Sequence, residues 1–346
     1  MPSMTQRVFG RTREGDEVVQ HTLQAGLVTV QLISYGATLS SVRIPDRKGV
    51  VDDVTLGFDA LEGYLNPHPY FGGTLGRVAN RIARGRFSID GQTYTLFLND
   101  GRNHLHGGKK GFDRAVWAGT GAERSGLALV SFSYPSPDGE EGYPGNLDAR
   151  VTYALDDAGA LEVAWEARAD RPTIVNLSNH AYWNLKGAGR GDIKDHLVTL
   201  DAERYIPSDA ELIPTGEIRS VAETPYDFRK PKAIGKDIEK AGGGYDQCFV
   251  LGALEGGWRR VGRVVDPSTG RGMEMFATQP GVHFYSGHMM KPITGRGGKT
   301  YSVDGGFALE TEAFPDAINQ KGFPNVILRP GETYAEKMKI RFFTEA

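Results

Sequence analysis

The chain lacks most of what marks a protein for export, membrane insertion or nucleic-acid binding. It has one cysteine, Cys248, in 346 residues, which excludes an internal disulfide and any cysteine-built zinc cluster. No uninterrupted apolar run approaches the roughly 18 residues of a membrane-spanning helix. Met1 to Gly10 has no apolar core of signal-peptide type, so a cytoplasmic protein is expected. Net charge is −3 with no basic block, so the electrostatic footprint of a nucleic-acid binder is missing. Helical periodicity is scarce as well. Only Asp59 to Leu65 and Ala233 to Ala241 read as short helices, both below the 10–12 residues of a packed one. No strand–helix–strand spacing occurs, which disfavours a doubly wound sheet.

What the chain has in excess is glycine, 46 of 346 residues, about 13% against a usual ~7%. Without collagen-like period or low complexity, that density means many turns. Between the turns the dominant period is two. Leu161, Val163, Trp165, Ala167 and Ala169 alternate with mostly polar residues, as do Met338, Ile340 and Phe342, Val130, Phe132 and Tyr134, and Val28, Val30 and Leu32. Such alternation places one apolar face of a pleated strand on a core, and it favours antiparallel over fully buried parallel strands. Phe87-Ser88-Ile89, Asp90-Gly91, Gln92-Thr93-Tyr94 reads as a two-residue hairpin of type I′. Composition does not shift along the chain, no internal repeat is visible, and a single domain over 1–346 is expected.

Several segments break the alternation by concentrating polar residues among glycines and aromatics: Gly76 to Ile82, Asn103 to Gly108, Asn176 to Leu185, Gly244-Tyr245-Asp246 and Leu309 to Glu312. On a β scaffold, such loops and strand ends can converge on one concave surface. His180, among Asn176, Ser178, Asn179 and Asn184, is suited to proton transfer near neutral pH, or else is a structural histidine held by those amides. His104 and His106 would share a face of a strand and could ligate a metal, but Lys109 and Lys110 follow where a carboxylate ligand would be wanted. Glu310 and Glu312 would share a face, and Glu310, after Phe307, Ala308 and Leu309, suits a partly buried base with a raised pKa. Asp246 reads as a turn residue or an acceptor for sugar hydroxyls. Tyr182, Trp183 and Tyr285 lie near these segments and offer ring faces to a pyranose. Gly298-Lys299-Thr300 is not a phosphate loop, because Ile293 occupies the position of its first glycine. Cys248 reads as a small buried side chain.

Together these strings resemble the aldose 1-epimerase (galactose mutarotase) family. The likeness extends through Gln279-Pro280-Gly281-Val282, Leu309 to Ala317, Phe323-Pro324 and Leu328 to Glu332, in the same order along the chain. It implies an all-β fold, a large antiparallel β-sandwich of the galactose mutarotase-like supersandwich type with few short helices. It also implies an isomerase that interconverts the α and β anomers of free aldohexoses such as galactose and glucose, without metal or other cofactor. Glu310 matches the base that takes the C1 hydroxyl proton, and His180 the acid that protonates the ring oxygen. Asn80, Arg81, His106 and Asp246 match sugar-holding positions, with Tyr182 alongside. Where the family often carries Gln after Pro-Gly-Val, this chain has His283, which bears on sugar preference.

The chemistry suits the residue types by itself. A carboxylate and a protonated imidazole on opposite sides of the ring would open a hemiacetal by moving two protons. Arg81 could stabilise charge on the ring oxygen. Alternatives are a hexose-6-phosphate 1-epimerase, drawing on Arg81 and Arg77 for the phosphate, a non-catalytic carbohydrate-binding protein, and a glycoside hydrolase using Glu310 and Asp246. A free aldose is the expected partner of a monomer or homodimer, with no nucleic acid and no membrane.

Overall fold

A computed structural model of the protein describes residues 1–345. Its strand pairs are antiparallel, and they form three large sheets. The first is a five-stranded meander, Ser3–Arg11, Glu17–Ala25, Val28–Ile33, Thr38–Pro45 and Val51–Asp53, paired in chain order. The second has nine strands. It runs from Ala118–Arg124 through Leu127–Ser136, Leu147–Asp156 and Leu161–Ala169 to Tyr334–Thr344, and then back through Arg271–Ala277 and Arg259–Val265. The third has six strands, with Phe307–Glu312, Gly281–Tyr285 and Asp246–Val250 at its centre.

One core joins the three sheets. Leu23 and Val30 of the first, Val130 and Trp165 of the second, and Val282, Phe284 and Phe307 of the third belong to a single cluster of fully buried side chains. Every apolar member of the 161–169 alternation is buried, while Glu166 and Arg168 are exposed, as the period predicts. The Asp90-Gly91 turn has positive φ at both residues, the type I′ geometry.

Among the described residues, α-helix is confined to Leu61–Leu65, with isolated 3₁₀ turns besides. The expected helix over 233–241 does not form. Lys232–Ala233 pairs at the edge of the nine-stranded sheet, and only a 3₁₀ turn follows at Ile234–Lys236. Gly235 weakens any helix there. No helix among the described residues is long and apolar enough to cross a membrane.

The six-stranded sheet positions the site. Register pairs His283 with both Glu310 and Cys248, and Tyr285 with Asp246. Because side chains alternate along each strand, Val282, Phe284, Phe307 and Leu309 face the core, whereas Asp246, His283, Tyr285, Glu310 and Glu312 share the opposite face. Loops from the first half of the chain cover that second face. Gly72 is a tight point in this cover: its N–H donates to the His180 carbonyl (2.9 Å), its φ is +67°, and a Cβ there would stand 2.0 Å from the Leu39 carbonyl oxygen. Gly107 (φ +89°) leaves even less room, 1.7 Å from the Gly76 carbonyl oxygen.

Candidate active site

A cavity of about 220 Å³ opens over the polar face of the six-stranded sheet. Asn80, Arg81, His106, His180, Tyr182, Asp246, His283 and Glu310, the eight site residues expected from the sequence, all line it. It is smaller than the roughly 300 Å³ at which sites for drug-sized ligands begin, so its occupant is small. A larger groove of about 510 Å³ lies on the nine-stranded sheet around Tyr134, Arg150, Glu166 and Arg168. Arg150, Glu166 and Arg168 there are exposed strand residues, Tyr134 is half-buried against the core, and no buried ionisable groups converge on it.

His180 is held from every side. Its N–H donates to the Gly73 carbonyl (3.0 Å) and its carbonyl accepts from Gly72. Its ring lies between the nearly parallel rings of Tyr182 (4.8 Å, 17°) and Tyr70 (5.8 Å, 18°). Nε2 stands 3.5 Å from Glu310 Oε1, and the two side chains are 5% and 2% exposed. His180 Nδ1 and Glu310 Oε2 are buried without a protein partner, as befits groups meant for a ligand. Burial disfavours both charged forms. It drives the His180 pKa down to about 3 and lifts Glu310 well above the carboxylate range, with Asp246 adding to the rise and Arg81 opposing it. Burial therefore disfavours a charged carboxylate–imidazolium pair at this contact.

That contact corrects one expectation. Two groups 3.5 Å apart cannot stand on opposite sides of a pyranose.

His106 is fixed differently. Its backbone turns through φ +50°, and Asn80 through +64°, so the two loops clasp: His106 N–H donates to the Asn80 carbonyl (3.1 Å), and Asn80 N–H donates to His106 Nδ1 (3.0 Å). With Nδ1 accepting and burial pushing the pKa well down, the ring carries its proton on Nε2. His106, His180 and Glu310 are close enough to hold a metal ion. A metal-ligating imidazole, however, normally donates its other N–H outward. The His106 tautomer runs the other way and presents a donor to the cavity.

The same turn separates His106 from His104, so the two do not share a face. His104 bonds to the Phe97 carbonyl (2.7 Å) and the Tyr143 hydroxyl (2.6 Å) and is structural. Arg81 Nε donates to Asp100 (2.7 Å) at the rim. Arg77, considered above for a phosphate, donates instead to Ser136 Oγ and to the carbonyls of Ser136, Pro137, Pro144 and Gly145, and it is buried and unavailable. Trp183 packs in the core against Phe342 rather than beside the cavity. Asp246 opens a strand instead of sitting in a turn.

A profile of the family described as "Aldose 1-epimerase" matches residues 19–341. The chain belongs to the aldose 1-epimerase family. Within it, the chain is 46% identical to the galactose mutarotase of Bos taurus and 45% identical to that of Homo sapiens, in both cases over 99% of each chain. The aldose 1-epimerase of Escherichia coli K12 is 37% identical over 93% of each. Among solved structures, an aldose epimerase homologue from C. elegans superposes with a TM-score of 0.86 at 30% identity, covering 93% of this chain and 98% of that one. A galactose 1-epimerase from Lactobacillus acidophilus gives 0.86 at 26% over the whole of both chains. The family's β-rich fold is the one described above, and the chain is an isomerase of this family.

Pro69, Tyr70, Asp100 and Met289 also line the cavity and escaped the sequence reading. Tyr70, behind Pro67 and Pro69, stacks on His180, and Asp100, in an Asn-Asp-Gly turn, pairs with Arg81. The Asn-Asp-Gly signal marks a turn and nothing about its partner.

Proposed function

We propose that this protein is an aldose 1-epimerase acting on a free aldohexose such as galactose or glucose, with Glu310 as base and His180 as acid. The observation that carries the assignment is the 3.5 Å contact between these two buried side chains on the cavity wall. In a cyclic hemiacetal the hydroxyl oxygen and the ring oxygen are bonded to the same carbon, C1. A base for one and an acid for the other must therefore stand close together.

In the forward step, Glu310 carboxylate takes the proton from the C1 hydroxyl, the C1–O5 bond breaks, and O5 takes the proton of His180 imidazolium. The product is the open aldehyde with Glu310 protonated and His180 neutral. That is also the uncharged pair favoured by burial, so the pocket stabilises the protonation state that accompanies the open chain. Rotation about C1–C2 and the reverse transfers give the other anomer. Hydrogen bonds from the bound sugar offset the burial cost of the charged pair with which the cyclic form reacts. His106 Nε2–H and the remaining Arg81 donors serve sugar oxygens, and Asp246 accepts from a hydroxyl.

Polarimetry on freshly dissolved α-galactose tests this reading: the decay of optical rotation should be much faster with the protein than without it. An unchanged decay for both galactose and glucose would refute it. Galactose 6-phosphate should compete poorly, because among the described residues Arg81, already paired with Asp100, is the one Arg or Lys lining the cavity, and a dianion would want several.

A further inference from the structure

Glu312 lies on the same strand face as Glu310, two residues on, yet it does not line the cavity. It is fully buried, Oε1 accepts from Asn80 Nδ2 (3.1 Å), and Oε2 has no partner. The mechanism above does not use it.

Its effect follows from tracing protons along the cavity wall. Asn80 Oδ1 accepts from the Arg81 N–H (2.8 Å), so the amide nitrogen points the other way, towards Glu312 and towards His283 Nδ1 (3.1 Å). An amide nitrogen only donates. His283 Nδ1 must accept, and the ring's proton stands on Nε2, where it donates to Asp246 Oδ1 at 2.5 Å. Donation runs one way, from Asn80 to His283 to Asp246. Turning the Asn80 amide over would set its oxygen against Glu312 and move the imidazole proton to Nδ1. The bare Nε2 would then face the Asp246 carboxylate.

We propose that Glu312 is a positioning residue that locks this direction, so that Asp246 meets the sugar as a pure hydrogen-bond acceptor held in place by His283. The inference rests on the reading of Asp246 as a group that binds a sugar hydroxyl. It recasts His283, the departure from the family's usual Gln. With Nδ1 and Nε2 both engaged, the ring has no proton to give the sugar and acts through Asp246.

The test is Glu312→Leu, similar in volume and without the acceptor, beside Glu312→Gln, which keeps one. The galactose KM should rise roughly ten-fold in Glu312→Leu, the scale of a buried donor losing its partner, with kcat changed less than about two-fold, because binding is lost uniformly. Glu312→Gln should restore most of the KM. In protein labelled with ¹⁵N at histidine, the His283 signals, assigned by their loss in His283→Gln, should report a proton on Nε2. In Glu312→Leu they should shift towards Nδ1. In the His283→Gln background, Glu312→Leu should add less than about two-fold. A wild-type proton on Nδ1, or a Glu312→Leu protein with unaltered KM and unaltered His283 signals, overturns the lock. The wild-type spectrum decides even where Glu312→Leu does not fold. It is also independent of turnover, so a failed lock is distinguishable from a failed assignment of activity.

Discussion

The two faces of the six-stranded sheet are both buried, and they are buried for opposite reasons. Val282, Phe284, Phe307 and Leu309 face the common core, where closeness to other apolar atoms is the stabilising term. One residue along each strand, His283 and Glu310 face a pocket, with Glu312 buried behind it, where burial is a cost borne by ionisable groups. The cost is visible as unpartnered atoms, Oε2 of both glutamates, and as raised carboxyl pKa values. A single pleat thus holds stability and chemistry 180° apart. The first face makes the second rigid enough to keep uncompensated polar groups in place.

The sharpest way to break the comparison is to change one face and look for effects on the other. Glu310→Gln and His180→Asn should each lose 10²-fold or more of the acceleration of galactose mutarotation, within the usual range for acid–base groups. Thermal unfolding should show no loss of stability, since each change removes a buried ionisable group. Near-normal rates in both would remove the mechanism. On the other face, Phe284→Ala should cost about 3–5 kcal/mol in urea unfolding, while kcat per folded molecule stays within a few-fold. A large selective loss of kcat would mean that the faces are not separable.

The pH dependence of stability sharpens the picture. His180 has a folded pKa of about 3 against about 6.5 unfolded, so its neutral form is favoured by folding. Its contribution is full above pH 6.5 and is lost as pH falls from 6.5 towards 3, at no more than about 1.4 kcal/mol per pH unit. Glu310, with a raised folded pKa, acts oppositely: its contribution is present below about pH 4.5 and is lost as pH rises through the folded value. Denaturation of His180→Asn between pH 7 and 4 should accordingly be flatter than that of wild type, and Glu310→Gln should be flatter on the alkaline side. Parallel curves for all three proteins would contradict the buried pair. The smallest effect belongs to the rim. Asp100 is partly exposed beside Arg81, and exposed ion pairs contribute little. Asp100→Asn should raise the galactose KM only a few-fold in steady-state polarimetry.

Much of this was legible in the chain because period-two alternation is a local signal. The buried set at 161–169 and the shared face of Glu310 and Glu312 follow from spacing alone. The cavity residues were legible as polar strings in family order. What could not be read were directions set by single dihedrals and by loops that meet late. His106 leaves the extended region at φ +50°, which undoes the two-residue rule linking it to His104. Tyr70 reaches His180 from 110 residues away, and no local pattern encodes that stacking. Arg77 looks like its neighbour Arg81 in the string, yet its backbone setting turns it inward to five protein oxygens. The 233–241 segment has helix-compatible residues, but pairing of Lys232 with Val198 claims its start for a sheet edge.

The imidazole of His180 is gripped between two tyrosine rings and tied by its own backbone on both sides, and Glu310 sits on a central strand. Neither group can follow a carbonyl that swivels. All the motion of inversion therefore falls to the sugar, and the protein is a fixed die against which either anomer is struck. Turnover should then need no opening and closing, proceed at comparable ease from both ends of the equilibrium, and persist in molecules immobilised in a gel or a lattice.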